Sequence, residues 1–116
     1  MSPIEEYRKF LAEKGRSLED LGLAETALLR EDALAAISLI RQASVPILGG
    51  DVYMQDGTDL FPAHANWSCD PTHNEKSDEY LARSWSVAES YIKNYPPDLR
   101  VITWFVLVIG RLVIGS

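Results

Sequence analysis

One apolar run near the C-terminus does most to limit how this chain can fold. Val101, Ile102, Thr103, Trp104, Phe105, Val106, Leu107, Val108 and Ile109 follow one another, with only Thr103 breaking the apolar character. A strand that is apolar on both faces needs cover on both, so this segment reads as the central strand of a sheet. It is far shorter than the roughly 20 residues of a spanning helix, and no membrane partner is expected. Residues Met1-Ser2-Pro3-Ile4-Glu5-Glu6-Tyr7-Arg8-Lys9 contain no apolar signal core, so no export is expected. Cys69 is the only cysteine, which rules out an internal disulfide and suits a reducing cytoplasm, the expected location.

The remaining periodicities surround that strand with helices. Residues 3–14 place Ile4, Tyr7, Phe10 and Leu11 on one helical face, with Ser2 as cap, Pro3 in the first turn and Gly15 at the end. Residues 17–22 read as a polar turn or one helical turn capped by Ser17. Residues 24–30 fit a short strand or a helix, and the alternation of Thr26, Leu28 and Arg30 favours the strand. A second helix spans 31–43, with Ala33, Ala36, Ile37 and Ile40 facing inward. Residues 45–48 read as a short strand entering a turn at Gly49-Gly50. Segments 52–55 and 59–62 form a hairpin about Asp56-Gly57, with a loop of two or more residues. Residues 63–76 read as an irregular loop containing Pro71. A third helix spans 77–94, capped by Ser77 and stopped by Pro96-Pro97, with Leu81, Ser84, Trp85, Ala88, Tyr91, Ile92 and Tyr95 along one face. Residues 110–116 are either a terminal strand or a tail. The expectation is a single domain over 1–116 of the α+β class. It has one mixed or antiparallel sheet of about four to five strands, with three helices packed mainly on one face.

Charge is concentrated in one stretch. Residues 51–80 hold seven acids against the single base Lys76, and the other 86 residues, with ten of each sign, sum to zero. Nucleic acids and anionic membranes call for clustered Lys and Arg, so neither is an expected partner. An acidic segment that also carries Tyr53, Asn66 and Trp67 suits the binding of a basic protein, because charge steers encounter and aromatic groups anchor it. The contact candidates are Asp51, Tyr53, Asp56, Asp59, Asn66, Trp67 and Asp70. Trp67 lies outside any periodic pattern and is either a plug over the core or an interface anchor.

Chemistry is harder to find. His64, Cys69, Asp70 and His73 are ligand types for zinc, but they show no paired CxxC or HxxxH spacing. Cys69 with His64 or His73 lacks a third member, and Asp70 and Glu75 would raise a thiol pKa rather than lower it. The carboxylates at Asp51, Asp56 and Asp59 and at Asp78 and Glu79 have the character of solvated loop acids rather than a buried acid–base pair. Gly49-Gly50-Asp51 has neither the lysine nor the spacing of a phosphate loop. No catalytic residue, metal or cofactor is expected, and the chain is read as a binder rather than an enzyme.

Three stretches carry a family resemblance. Arg30-Glu31-Asp32-Ala33-Leu34, then residues 45–53 (Val45 through Tyr53), then Asn66-Trp67-Ser68-Cys69 together resemble the immunity protein 40 family of bacterial polymorphic-toxin systems. The helix carrying Tyr80, Ser84, Ala88, Tyr91 and Ile92 and the strand Trp104-Phe105-Val106-Leu107-Val108 are also similar, so the resemblance spans roughly residues 20–108. It implies a small cytoplasmic protein that binds a cognate toxin domain, blocks its working surface and does no chemistry. Exposed edges of the hairpin or the C-terminal segment could pair two chains, so the expected state is monomer or homodimer. A small acidic adaptor or regulatory module without a toxin partner is the alternative.

Overall fold

The computed structural model describes residues 1–111. Helix α1 (Pro3–Lys14) starts where the Ser2 hydroxyl accepts a hydrogen bond from the Glu5 N–H, and it buries Tyr7. Burial pushes the Tyr7 phenol up to about 12. A two-residue strand β1 (Arg16–Ser17) leads into a 3-10 turn (Glu19–Leu21), where Ser17 Oγ accepts from the Glu19 N–H. Strand β2 (Thr26–Leu29) passes directly into α2 (Arg30–Gln42). Strands β3 (Ile47–Asp56) and β4 (Asp59–Ser68) form a long hairpin, followed by α3 (Ser77–Asn94) and β5 (Ile102–Ile109).

The five strands lie in the order β1-β2-β5-β3-β4, and every neighbouring pair is antiparallel. The α+β expectation holds, with the mixed alternative resolved to antiparallel. The apolar run is β5, and it is central. On one face of the sheet, Ile47, Val52 and Phe105 pack against Ala36, Ile37 and Ile40 of α2 and Ala88 and Ile92 of α3. On the other face, Leu18, Leu21 and Leu23 from the loop before β2 cover Ala27, Tyr53 and Val106. That loop is short, so cover on both sides is incomplete. Ile102 and Val108 stay exposed at the two ends of β5.

Several local expectations change. Gly49-Gly50 is not a turn but the interior of β3, where a glycine allows close backbone or ring approach. A Cβ at Gly49 would run into the Trp67 carbonyl oxygen, and one at Gly50 into the Trp67 ring and the Val106 carbonyl oxygen. Residues 63–68 are not loop but the second half of β4. The ladder continues past Pro62 through a bulge at Ala63-His64, with His64 at φ 57°. The cap of α3 is Lys76 rather than Ser77, and the Glu79 carboxylate accepts the Lys76 N–H. Helix α2 begins at Arg30, and β1 had no signal in the sequence. Beyond β5, the Gly110 N–H still donates to the Pro46 carbonyl. The terminal-strand reading of Leu112-Val113-Ile114 lies outside the described residues.

Candidate functional site

The β3–β4 hairpin carries six of the seven contact candidates, and its register sorts them onto two faces. Asp51 faces Asn66 and Val106, and Tyr53 faces Pro62 and Trp104, on the side away from the helices. Trp67 faces Gly50, and Asp56 faces Asp59, at the alternate positions that point toward the helix side. Asp70 follows the far end of β4, so it stands on the order of 30 Å of strand away from Asp59. The acidic residues thus form three separate places: the Asp51–Asn66 pair mid-sheet, the Asp56–Asp59 tip, and the loop at Asp70.

Two of the candidates are buried. Trp67 is 8% exposed, and its ring stacks on Tyr91 with centroids 4.6 Å apart. Its indole N–H has no hydrogen-bond partner among the described residues. Between the two readings of this residue, the geometry is that of a core plug. Tyr53 is also covered, and burial first, then the charges of Asp51 and Glu25, push its phenol above the usual value. Asp51 is half-buried, Asn66 is exposed, and Asp51 makes no ion pair among the described residues. The tip loop is two residues long. Gly57 at φ 59° supplies the left-handed conformation the turn requires, and its carbonyl accepts from Gln55 Nε2 at 2.8 Å.

The loop after β4 is held by Arg83, a residue with no role in the sequence reading. Its guanidinium donates to both oxygens of Glu75 at 2.6 and 2.8 Å, to Cys69 Sγ at 3.1 Å and to the Asp70 carbonyl. Tyr80 Oη donates to the Cys69 carbonyl at 2.7 Å, beneath the Arg83 guanidinium. The bidentate pair holds the Glu75 carboxyl down at about 2. Burial raises the Cys69 thiol, Arg83 opposes that shift, and Glu75 and Asp70 add to it. A raised, enclosed thiol is a poor nucleophile. His64, in the bulge, and His73, in the loop, do not join Cys69 and Asp70 in a ligand cluster. Among the described residues, no three of His, Cys, Asp or Glu come together in a way that could hold a metal. No helix among them is long and apolar enough to cross a membrane.

A second feature the sequence did not expose is a groove where α3 ends. Tyr95, Pro96, Pro97 and Leu99 form its wall, and Met54 of the hairpin lies across from them, around about 660 Å³ of open space. Leu99 is fully exposed there, and Phe61, facing Met54 across the hairpin, is 39% exposed. A leucine between Asp98 and Arg100, just past a proline pair, belongs to no periodic pattern and left no signal to read.

Fold and site together define a small α+β domain whose notable residues lie on surfaces and in braces rather than around an enclosed reaction centre. Residues 17–109 match the family described as Immunity protein 40, and the chain belongs to that family. Comparison with curated proteins and with solved structures returned no match.

Proposed function

We propose that this chain is an immunity protein that binds a cognate toxin domain and neutralises it by occupying its working surface, without chemistry of its own. Family membership over residues 17–109 is the observation that carries this reading. The concentration of acid in residues 51–80 supports a basic partner surface. Within that segment the roles divide. Asp56 and Asp59 at the tip face the toxin, while Asp51 beside Asn66 on the other sheet face and Asp70 beyond the far end of β4 add to the negative field that steers it. Tyr53 and Trp67 hold the strands that present them. The complex forms in the cytoplasm, before the toxin can act on the cell that makes it, and the lone enclosed thiol suits a reducing compartment.

The test is rescue. The C-terminal domain of the toxin encoded beside this chain is expressed alone and then together with it. Survival only on co-expression, with the two proteins co-purifying, supports the reading. A harmless neighbour that does not bind overturns it and favours the adaptor alternative.

A further inference from the structure

The hairpin tip and the end of α3 form one surface. Along the helix side of the hairpin, the facing pairs run Gly50–Trp67, Val52–Ala65, Met54–Phe61 and Asp56–Asp59. The first two are buried under α2 and α3, but the last two are not. Phe61 stays substantially exposed, and Asp56 and Asp59 are exposed on the next rung out. Met54, from the inner of these two rungs, lines the groove with Tyr95, Pro96 and Leu99. Through Met54 the groove continues onto Phe61, giving a largely apolar trough whose wall also holds the Asp98–Arg100 pair. One rung beyond Met54–Phe61 stand Asp56 and Asp59, neither of which makes an ion pair among the described residues.

The backbone behind the trough is hydrogen-bonded on both sides of Leu99. Asp98 accepts from the Arg100 N–H at 3.0 Å and from its guanidinium at 3.1 Å, and the Val101 N–H returns to the Asp98 carbonyl. Leu99 lies within this turn and is fully exposed. Arg30 donates to the Ile92 and Lys93 carbonyls and fixes the end of α3. A preordered apolar surface loses less entropy on binding. Lys93 at the end of α3 and Arg100 in the groove wall are already paired with Glu89 and Asp98. Asp56 and Asp59 face each other across the ladder, and like charges at directly opposite positions are relieved by a cation placed between them.

Resting on the toxin-binding reading, we infer that this trough is the principal docking site, and that it takes a toxin segment presenting an apolar side chain next to a lysine or arginine. The apolar group lies along Phe61, Tyr95 and Leu99, and the cation sits between Asp56 and Asp59. Charge complementarity favours a basic partner over a second copy of the chain, which carries a net charge of −6.

The experiment uses the full chain and the toxin C-terminal domain encoded beside it. Wild type is compared with Leu99→Glu and with the double variant Asp56→Lys, Asp59→Lys, both altered at exposed positions. Leu99→Glu should weaken binding about tenfold or more. The double variant should slow association about tenfold at low salt, with the gap narrowing at high salt. If wild type binds and both variants bind like it, the trough is overturned while the immunity reading stands. If wild type neither binds nor rescues, both fall together. If the chain alone dimerises and Leu99→Glu makes it monomeric, the occupant is a second copy and the inference is overturned. Circular dichroism of each variant confirms folding.

Discussion

Gly50 lies directly opposite Trp67 in the β3–β4 ladder, and the side chain that Gly50 lacks is the space the indole ring fills. Gly50→Ala should therefore cost about 1–3 kcal/mol by overpacking. Part of that cost should vanish in a Trp67→Ala background, because the ring is one of the two obstacles, the Val106 carbonyl being the other. Urea melts of the two single variants and the double variant measure the coupling, and strict additivity would refute the contact.

Trp67→Ala removes a ring stacked on Tyr91 and should lose about 3–5 kcal/mol of stability. Trp67→Phe should cost clearly less, because it keeps an aromatic ring and deletes the buried, unpartnered indole N–H. If instead Trp67→Ala leaves the melt unchanged and abolishes toxin binding, Trp67 is an anchor after all.

The fold was legible where local chemistry and tertiary role agree. Ser2 and Gly15 bound α1, Pro96-Pro97 follow the end of α3, and the run through Phe105 marks the central strand. Gly49-Gly50 misled because a glycine pair is turn chemistry at short range, while its reason here is a ring on the neighbouring strand. The first half of β4 was legible to Pro62, but the loop-like composition of residues 63–76 hid its second half, although Ala63, Ala65 and Trp67 alternate with His64, Asn66 and Ser68 as a strand should. The hairpin was legible from Asp56-Gly57, but the turn falls one residue later, at Gly57-Thr58, so Asp56 is not in the loop but paired with Asp59. The split of the candidates between two faces did not, since it depends on the register of a ladder that the sequence reading cut short. Arg83 acts through contacts that only the folded chain creates, and Leu99 is singled out only by its full exposure beside Tyr95 and Pro96.

Ser84 is a buried polar residue on the core side of α3. Its hydroxyl accepts from the Ile47 N–H at 3.1 Å and donates to the Leu81 carbonyl at 2.9 Å. Ser84→Ala should cost about 1–3 kcal/mol, because the Ile47 N–H is left without a partner in the core. Hydrogen exchange at Ile47 gives a second readout, and faster exchange there is expected.

The Glu75–Arg83 pair sets a pH dependence whose sign is fixed. Arg83 depresses the Glu75 carboxyl from the usual value near 4.5 to about 2 in the folded chain. Its stabilisation is fully present above about 4.5 and is lost as the pH falls toward about 2. Arg83→Gln should therefore be less stable than wild type at neutral pH, and the difference should shrink across that acid window. Urea melts at a series of pH values check this, and a gap that stays constant down to pH 2 would rule the pair out as its source.

Asp56→Lys separates stability from binding in one substitution. It turns a facing pair of like charges into a facing pair of opposite charges, next to a turn that Gly57 already satisfies. Exposed cross-strand pairs are weak, so the melt should rise by only a few tenths of a kcal/mol, on the order of what such pairs contribute. The same change removes one of the two carboxylates proposed to hold a toxin cation and adds a repelling charge beside it. Association with the toxin domain should slow at low salt even as the free protein becomes more stable. A variant that is more stable and still associates at the wild-type rate would show that the tip plays no part in recognition. A variant that is less stable would show that the two carboxylates are not in mutual repulsion in the free chain.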